Sequence, residues 1–165
     1  MTLAQSDRLA STVADALAPF CERIEIAGSV RRRRPVVNDI DIVAIPRDLP
    51  GLKARCRRNG KITTDGSLNV IVELSGGVQI DIFLADPPRE GLLGIEPTNW
   101  GTLLLCRTGS KEHNVWLASE AKRRGLHWNP YKGIYRGYDI IASETEQDIY
   151  KAIGLSYIEP TKRER

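Results

Sequence analysis

The chain has 165 residues, 41% apolar and 27% charged, and its 24 Lys and Arg against 21 Asp and Glu leave a formal charge of +3, too small to imply a nucleic-acid partner by itself. These fractions are those of a soluble globular protein, built as one domain or two small lobes around a real core. Three isolated cysteines, Cys21, Cys56 and Cys106, exclude a disulfide framework or a Cys-x-x-Cys zinc site, and the absence of a signal peptide or membrane-length apolar run leaves a cytosolic protein as the expectation.

In chain order, Leu3, Leu9, Ala10, Val13, Ala14 and Leu17 predict an amphipathic helix over Leu3–Leu17, closed by Pro19. Arg23–Ala27 alternates as a strand, with Ile24 and Ile26 on one face and Glu25 on the other. Gly28-Ser29 and the arginines Arg31–Arg34 follow, and then Asp39-Ile40-Asp41 opens a second strand. Pro46 and Pro50 mark a loop, and Leu52–Arg58 reads as a short basic helix ending near Asn59-Gly60. Lys61–Thr64, Asn69–Leu74 and Val78–Leu84 are successive strands separated by the turns Asp65-Gly66 and Ser75-Gly76-Gly77.

Composition shifts at Asp86–Gly91, a boundary between lobes. Beyond it, Asn99–Cys106 is helical and Thr108-Gly109-Ser110 breaks the helix. A second helix runs from Ser110 to about Arg124, packs through Val115, Leu117, Ala118 and Ala121, and stops at Gly125. Trp128–Tyr138 is hairpin-like, and Ser143 caps a last helix, with Glu146 completing a capping box. Gly154–Pro160 is extended and Lys162–Arg165 frays.

The chemistry concentrates around the first two strands. Strand alternation sends Asp39 and Asp41 to one face and Ile40 and Ile42 into a core, and carboxylates held that close repel unless a cation lies between them. Asp81, flanked by apolar residues in Val78–Leu84, is costly to bury without a partner, which makes it the candidate third metal ligand from an adjacent strand. Gly28 lets the backbone approach a ligand closely, and the Ser29 hydroxyl and neighbouring N–H groups suit an anion. Alone, Gly-Ser is a common turn and four arginines a solvated face; beside three aspartates they suit two divalent ions and a triphosphate. Magnesium fits a set of oxygen ligands. Basic clusters at Lys53–Arg58 and Lys122–Arg124 divide evenly between solvated faces and phosphate tracks. Trp100, Trp116 and Trp128 read as packing residues, and neither His113 nor His127 has an evident partner.

Gly28-Ser29-Val-Arg-Arg, Asp39-Ile-Asp41, Gln79-Ile-Asp81, Thr108-Gly109-Ser110, Asn114 and the run from Glu144 to Pro160 follow one another as in family X DNA polymerases, which the chain resembles along nearly its whole length. The resemblance implies an α+β fold: a nucleotidyltransferase palm, a mixed or antiparallel sheet with flanking helices, over residues 1–85. A small helical lobe with a short β-hairpin, binding the nucleotide pair in a thumb-like way, would occupy residues 86–165. It implies that Asp39, Asp41 and Asp81 are catalytic and hold two Mg²⁺ ions, for which Mn²⁺ can substitute. Nucleotide binding would fall to Gly28, Ser29, Arg32, Asn38, Gly109, Ser110 and Asn114, and DNA binding to Lys111, Lys122, Arg123 and Arg124.

The chain departs from the family where Val37-Asn38 replaces a small Ser-Gly pair, Cys106-Arg107 replaces Tyr-Phe, Gln79 replaces an arginine and Ala118 stands where some members have one. On this resemblance the chain is expected to start at the palm and to lack the family's N-terminal lyase and helix-hairpin-helix regions. The implied activity is extension of a primer 3′-hydroxyl with release of pyrophosphate, in short-gap filling and DNA repair. Primer-template or gapped DNA and deoxynucleoside triphosphates are the partners. The expected form is a monomer, cytoplasmic and nucleoid-associated when bound to DNA, with no membrane partner. Two alternatives stay open: a template-independent nucleotidyltransferase acting on RNA, a protein or a small molecule, and a catalytically idle nucleic-acid-binding module.

Overall fold

A computed structural model describes residues 1–91 and 94–164. The chain folds as two compact units, Met1–Leu84 and Ala85–Arg165.

In the first unit, α1 (Leu3–Leu17) starts in a capping box: Thr2 accepts from the Gln5 backbone while the Gln5 side chain accepts from the Thr2 N–H. The strands β1 (Cys21–Ile26), β2 (Ile40–Pro46), β3 (Gly60–Asp65), β4 (Asn69–Leu74) and β5 (Gln79–Leu84) form one sheet in the order β1-β2-β5-β4-β3. Only β2 and β5 run parallel; the other neighbours are antiparallel. A single helical turn, α2 (Gly28–Arg31), follows β1. Alternate residues Ile40, Ile42, Ala44, Ile80, Ile82 and Leu84 bury one sheet face with Ala10 and Leu17 of α1 and with Leu52 and Cys56 of α3 (Leu49–Asn59). That last helix begins three residues before its expected start, because Asp48 caps the Gly51 N–H at 2.9 Å and Pro50 sits in the first turn, where its missing N–H costs nothing.

The second unit opens with a hairpin, β6 (Arg89–Gly91) and β7 (Gly94–Glu96), inside the stretch read from sequence as a boundary. The helices α4 (Trp100–Thr108), α5 (Lys111–Arg123) and α6 (Glu146–Ala152) accompany a three-stranded antiparallel sheet, β8 (His127–Asn129), β9 (Gly133–Arg136) and β10 (Asp139–Ala142). The expected hairpin thus gains a third strand. Leu105, Leu117, Ala121, Leu126, Ile134, Ile149, Tyr150 and Ile153 form the core.

Four expectations fail here. Val115 is 61% exposed, and His113 takes the buried position on α5 instead. The cap of α6 is Thr145, which accepts from the Asp148 N–H at 3.1 Å, rather than Ser143. His113 has a partner, the Tyr150 hydroxyl at 2.8 Å from its Nε2. The C-terminal residues do not fray as a group: Arg163 is 0% exposed, while Arg165 lies outside the described residues. Observed as a whole, the secondary structure is the expected mixed sheet with flanking helices followed by a small helical region. Among the described residues no helix is long and apolar enough to cross a membrane.

Candidate active site

The parallel register of β2 and β5 sets Asp41 opposite Asp81, with the Ile40/Ile80 and Ile42/Ile82 pairs on either side. Because those isoleucines fill the core, alternation turns both aspartates to the other face, where each is half-buried. The close carboxylate pair is therefore Asp41 with Asp81, across strands. Asp39 lies in the bend before β2, half-buried, rather than beside Asp41 on a strand. Asn38 and Asp39 are both side-chain types that bond to nearby backbone and favour bends over strand ladders. The Gln79 amide donates to Asp81 Oδ1 at 2.7 Å, which orients that carboxylate from two residues away on its own strand. Among the described residues, no three His, Cys, Asp or Glu side chains converge closely enough to hold a metal ion.

The turn after β1 packs directly on Asp41. The Ala27 N–H donates to the Asp41 carbonyl at 2.8 Å, and Gly28 follows with φ of +59°. A Cβ at Gly28 would fall on the Asp41 carboxylate, so glycine is required by the backbone angle and by the approach. Gly28 thereby opens α2, which is too short to be more than one turn. The Ser29 hydroxyl is shielded from solvent and has no hydrogen-bond partner among the described residues. Arg32 closes the turn, its backbone N–H donating to the Gly28 carbonyl at 3.1 Å, and its side chain is half-buried. Arg33, with φ of +62°, pairs with Asp7 at 2.6 Å, which assigns it to the α1 surface. Asn38 is exposed.

In the second unit, Gly109 has φ of +73° and the Gly109–Ser110 peptide is cis. Ser110 caps α5, accepting from the His113 N–H at 3.2 Å, and donates to the Arg163 carbonyl at 2.8 Å. Asn114 Nδ2 donates to the Cys106 carbonyl at 2.8 Å, while its Oδ1 is buried without a partner among the described residues. Arg107 donates to the Tyr131 hydroxyl at 2.8 Å. Of the bases on α5 and at its end, Lys111 and Lys122 are exposed, whereas Arg123 and Arg124 both pair with Glu120. In the first unit, Lys53 and Arg57 likewise share Asp65.

The cysteines offer no nucleophile at neutral pH. Burial raises the thiols of Cys21 and Cys106 and, against the nearby Arg57, pushes Cys56 up to about 11.

Sequence reasoning finds the Asp81 position but misses three features. Gln79 reads only as a lost arginine, although residues two apart on a strand share a face. His113 with Tyr150 and Glu146 with Arg163 are separated by 37 and 17 residues, and no local pattern announces either pair.

A family model described as DNA polymerase beta thumb matches residues 103–164. The DNA polymerase/3'-5' exonuclease PolX of Bacillus subtilis (strain 168) is 28% identical over 171 residues, covering 95% of this chain and 27% of that protein. The chain thus spans little more than a quarter of that relative's length. Two crystal structures of Leishmania infantum polymerase beta superpose on 100% of the chain, each with a TM-score of 0.79. The ternary P/T complex is 18% identical with 77% of its chain covered, and the ternary gap complex 17% identical with 71% covered. At those identities the likeness establishes the fold.

Proposed function

We propose that the chain is a member of the DNA polymerase beta-like, family X nucleotidyltransferase superfamily and, within it, a DNA-directed DNA polymerase that fills short gaps. The observation that carries the reading is the Asp41–Asp81 pair in register, with Gly28 against it and the partnerless Ser29 hydroxyl on the same turn. A buried hydroxyl without a partner costs about 1–3 kcal/mol, a cost that a phosphate oxygen accepting its proton removes.

The residues fit divalent cations by donor chemistry: Asp39, Asp41 and Asp81 supply oxygen only, which suits Mg²⁺, with Mn²⁺ as a substitute. When bound, two such ions supply activation of a hydroxyl and neutralisation of phosphate charge. The chain's own residues do the rest. Ser29 donates to the triphosphate, Gly28 admits it close to the backbone, and Arg32 contributes a fixed positive charge. Gln79 holds Asp81 in one orientation. The primer 3′-oxygen forms a bond to the α-phosphorus, the bond from that phosphorus to the bridging oxygen breaks, and pyrophosphate leaves. Asp81 or solvent accepts the hydroxyl proton. Gly109, Ser110 and Asn114 serve the incoming nucleotide, and the exposed Lys111 and Lys122 the DNA backbone, with Arg123 and Arg124 beside them.

The test is extension of a gapped duplex against a single strand, with each deoxynucleotide and ribonucleotide tried separately and Mg²⁺ present. Extension confined to the gapped duplex is expected. Equal extension of the single strand identifies a template-independent transferase, and no extension of any substrate overturns the reading. Asp81→Ala should lower extension about 10³-fold or more, because it removes several kcal/mol of charge stabilisation from the transition state, while DNA binding persists.

A further inference from the structure

The second unit contains a fully buried arginine that the proposed chemistry does not use. Arg163, just after the C-terminal turn Pro160–Lys162, is 0% exposed, and its partner Glu146 is 5% exposed. Its Nη1 donates to Glu146 Oε1 at 2.7 Å and its Nε to the Ile158 carbonyl at 2.8 Å. The guanidinium lies 5.8 Å from the Tyr150 ring centre and 5.4 Å from that of Tyr157, whose hydroxyl donates to Glu146 Oε2 at 3.2 Å.

Two links connect this cluster to the start of α5. The Ser110 hydroxyl donates to the Arg163 carbonyl at 2.8 Å, and the Tyr150 hydroxyl is hydrogen-bonded to His113 Nε2 at 2.8 Å. Asn114 comes next on the helix, its N–H donating to the Ser110 carbonyl at 3.0 Å and its amide to the Cys106 carbonyl at 2.8 Å. Its Oδ1 remains buried without a partner among the described residues, as a group held ready for a donor does.

Stability alone is a poor account of the cluster. Replacing a buried ion pair with well-packed apolar groups is often neutral or stabilising, and Arg163 Nη2 makes no hydrogen bond among the described residues. What a buried guanidinium held by two separate acceptors does supply is a fixed geometry.

We infer that Arg163 is a positioning residue: by fixing the C-terminal turn it sets Ser110 and His113, and through them the orientation of Asn114 toward the incoming nucleotide. The inference rests on the polymerase reading above. A group that holds the nucleotide equally in the ground and transition states, without touching the reacting atoms, acts through KM, so that is where its misplacement is read.

The experiment compares the full chain with Arg163→Met, Arg163→Lys and Tyr150→Phe. It measures KM and kcat for a deoxynucleoside triphosphate on gapped DNA, the thermal midpoint, and the ¹⁵N-resolved side-chain amide resonance of Asn114 without nucleotide. Expected for Arg163→Met is a KM raised about tenfold with kcat within about threefold, and a displaced Asn114 amide resonance. Arg163→Lys, which keeps the cation and loses the donor to the Ile158 carbonyl, recovers part of the KM; Tyr150→Phe raises it about threefold. An unchanged KM with an unmoved Asn114 resonance in folded Arg163→Met overturns the inference, as does a fall in kcat alone. If Arg163→Met does not fold, the other two variants decide, and an unchanged KM in both overturns it. If the unsubstituted chain extends nothing, the polymerase reading fails, while the Asn114 resonance still reports whether Arg163 positions that side chain.

Discussion

The turn at Gly28-Ser29 and the cluster around Arg163 treat buried polar groups differently: the first leaves its hydroxyl with no partner among the described residues, while the second engages all of its guanidinium but Nη2. Around Arg163, Glu146, Tyr157, Ile158 and Ser110 meet one another within the second unit, and removing one member of such a buried pair costs about 3–5 kcal/mol. At the turn, a shielded hydroxyl is left without a partner among the described residues, one residue after the glycine that lies against Asp41. A fold gains nothing from a shielded hydroxyl left unpartnered, which costs it about 1–3 kcal/mol. The difference separates groups that hold the chain from groups that await a ligand, and it gives the substitutions below opposite signs.

Within this comparison the largest effect is expected at Gly28, where packing and ligand chemistry meet. Gly28→Ala places a side chain at φ of +59° and its Cβ on the Asp41 carboxylate. The left-handed backbone alone costs about 1–2 kcal/mol. Displacing a reacting constellation by an ångström can cost about 100-fold in rate, so kcat/KM for gap filling should fall at least that far. Urea denaturation and steady-state extension on the same preparation read both losses; wild-type activity with full stability would detach Gly28 from the site.

Ser29→Ala should instead separate stability from activity. The lost hydroxyl has no partner among the described residues, so the variant is expected to be as stable as the unsubstituted protein or up to about 1 kcal/mol more stable. Its nucleotide KM should rise about tenfold, since a hydrogen bond to a charged acceptor contributes about 1.5–3 kcal/mol. A loss of stability without a change in KM would place the hydroxyl among the structural groups and remove the contrast with Arg163.

Most of the elements are legible in the sequence because their periods are local. The spacing of Leu9, Val13 and Leu17 and the alternation around Ile40–Ile42 and Ile80–Ile82 are consequences of one burial face each. Asp81 is legible for the complementary reason, as a charge in an apolar run. Where two local solutions compete, the sequence does not choose: Ser143 and Thr145 are both good caps, and Thr145 prevails in the fold, where its backbone packs against Gly101 so closely that a Cβ there would overlap it. Asp39 falls outside its strand because bend-forming side chains adjoin at Asn38-Asp39. Arg163 is illegible for a physical reason. A Lys-Arg-Glu-Arg ending reads as solvated charge, and only Glu146 and the rings of Tyr150 and Tyr157, supplied from α6 and the segment after it, make its burial tolerable.

The smallest effect is expected where a charge cluster is exposed and fully satisfied. Asp65 ends β3 and accepts from both Lys53 and Arg57 of α3, whose charges would otherwise count toward a basic phosphate track. The hydrogen bond from Lys53, then the charges of Lys53 and Arg57, hold its carboxyl below the usual 3.8. A depressed folded value means that the unfolded chain takes up the proton first as pH falls. The pair's contribution is therefore complete above pH 3.8 and is lost as pH drops through the lowered value. Because the group is exposed, salt screens it and the contribution stays small. Asp65→Asn should lower the urea midpoint slightly at pH 7 and low ionic strength, and the gap from the unsubstituted protein should narrow on acidification below pH 3.8 and in high salt. It should also free Lys53 and Arg57, so DNA binding that tightens, with a steeper salt dependence, would enlist α3 as a phosphate track. Unchanged DNA affinity together with the small acid-sensitive stability loss would leave that helix a solvated face whose cations serve the fold.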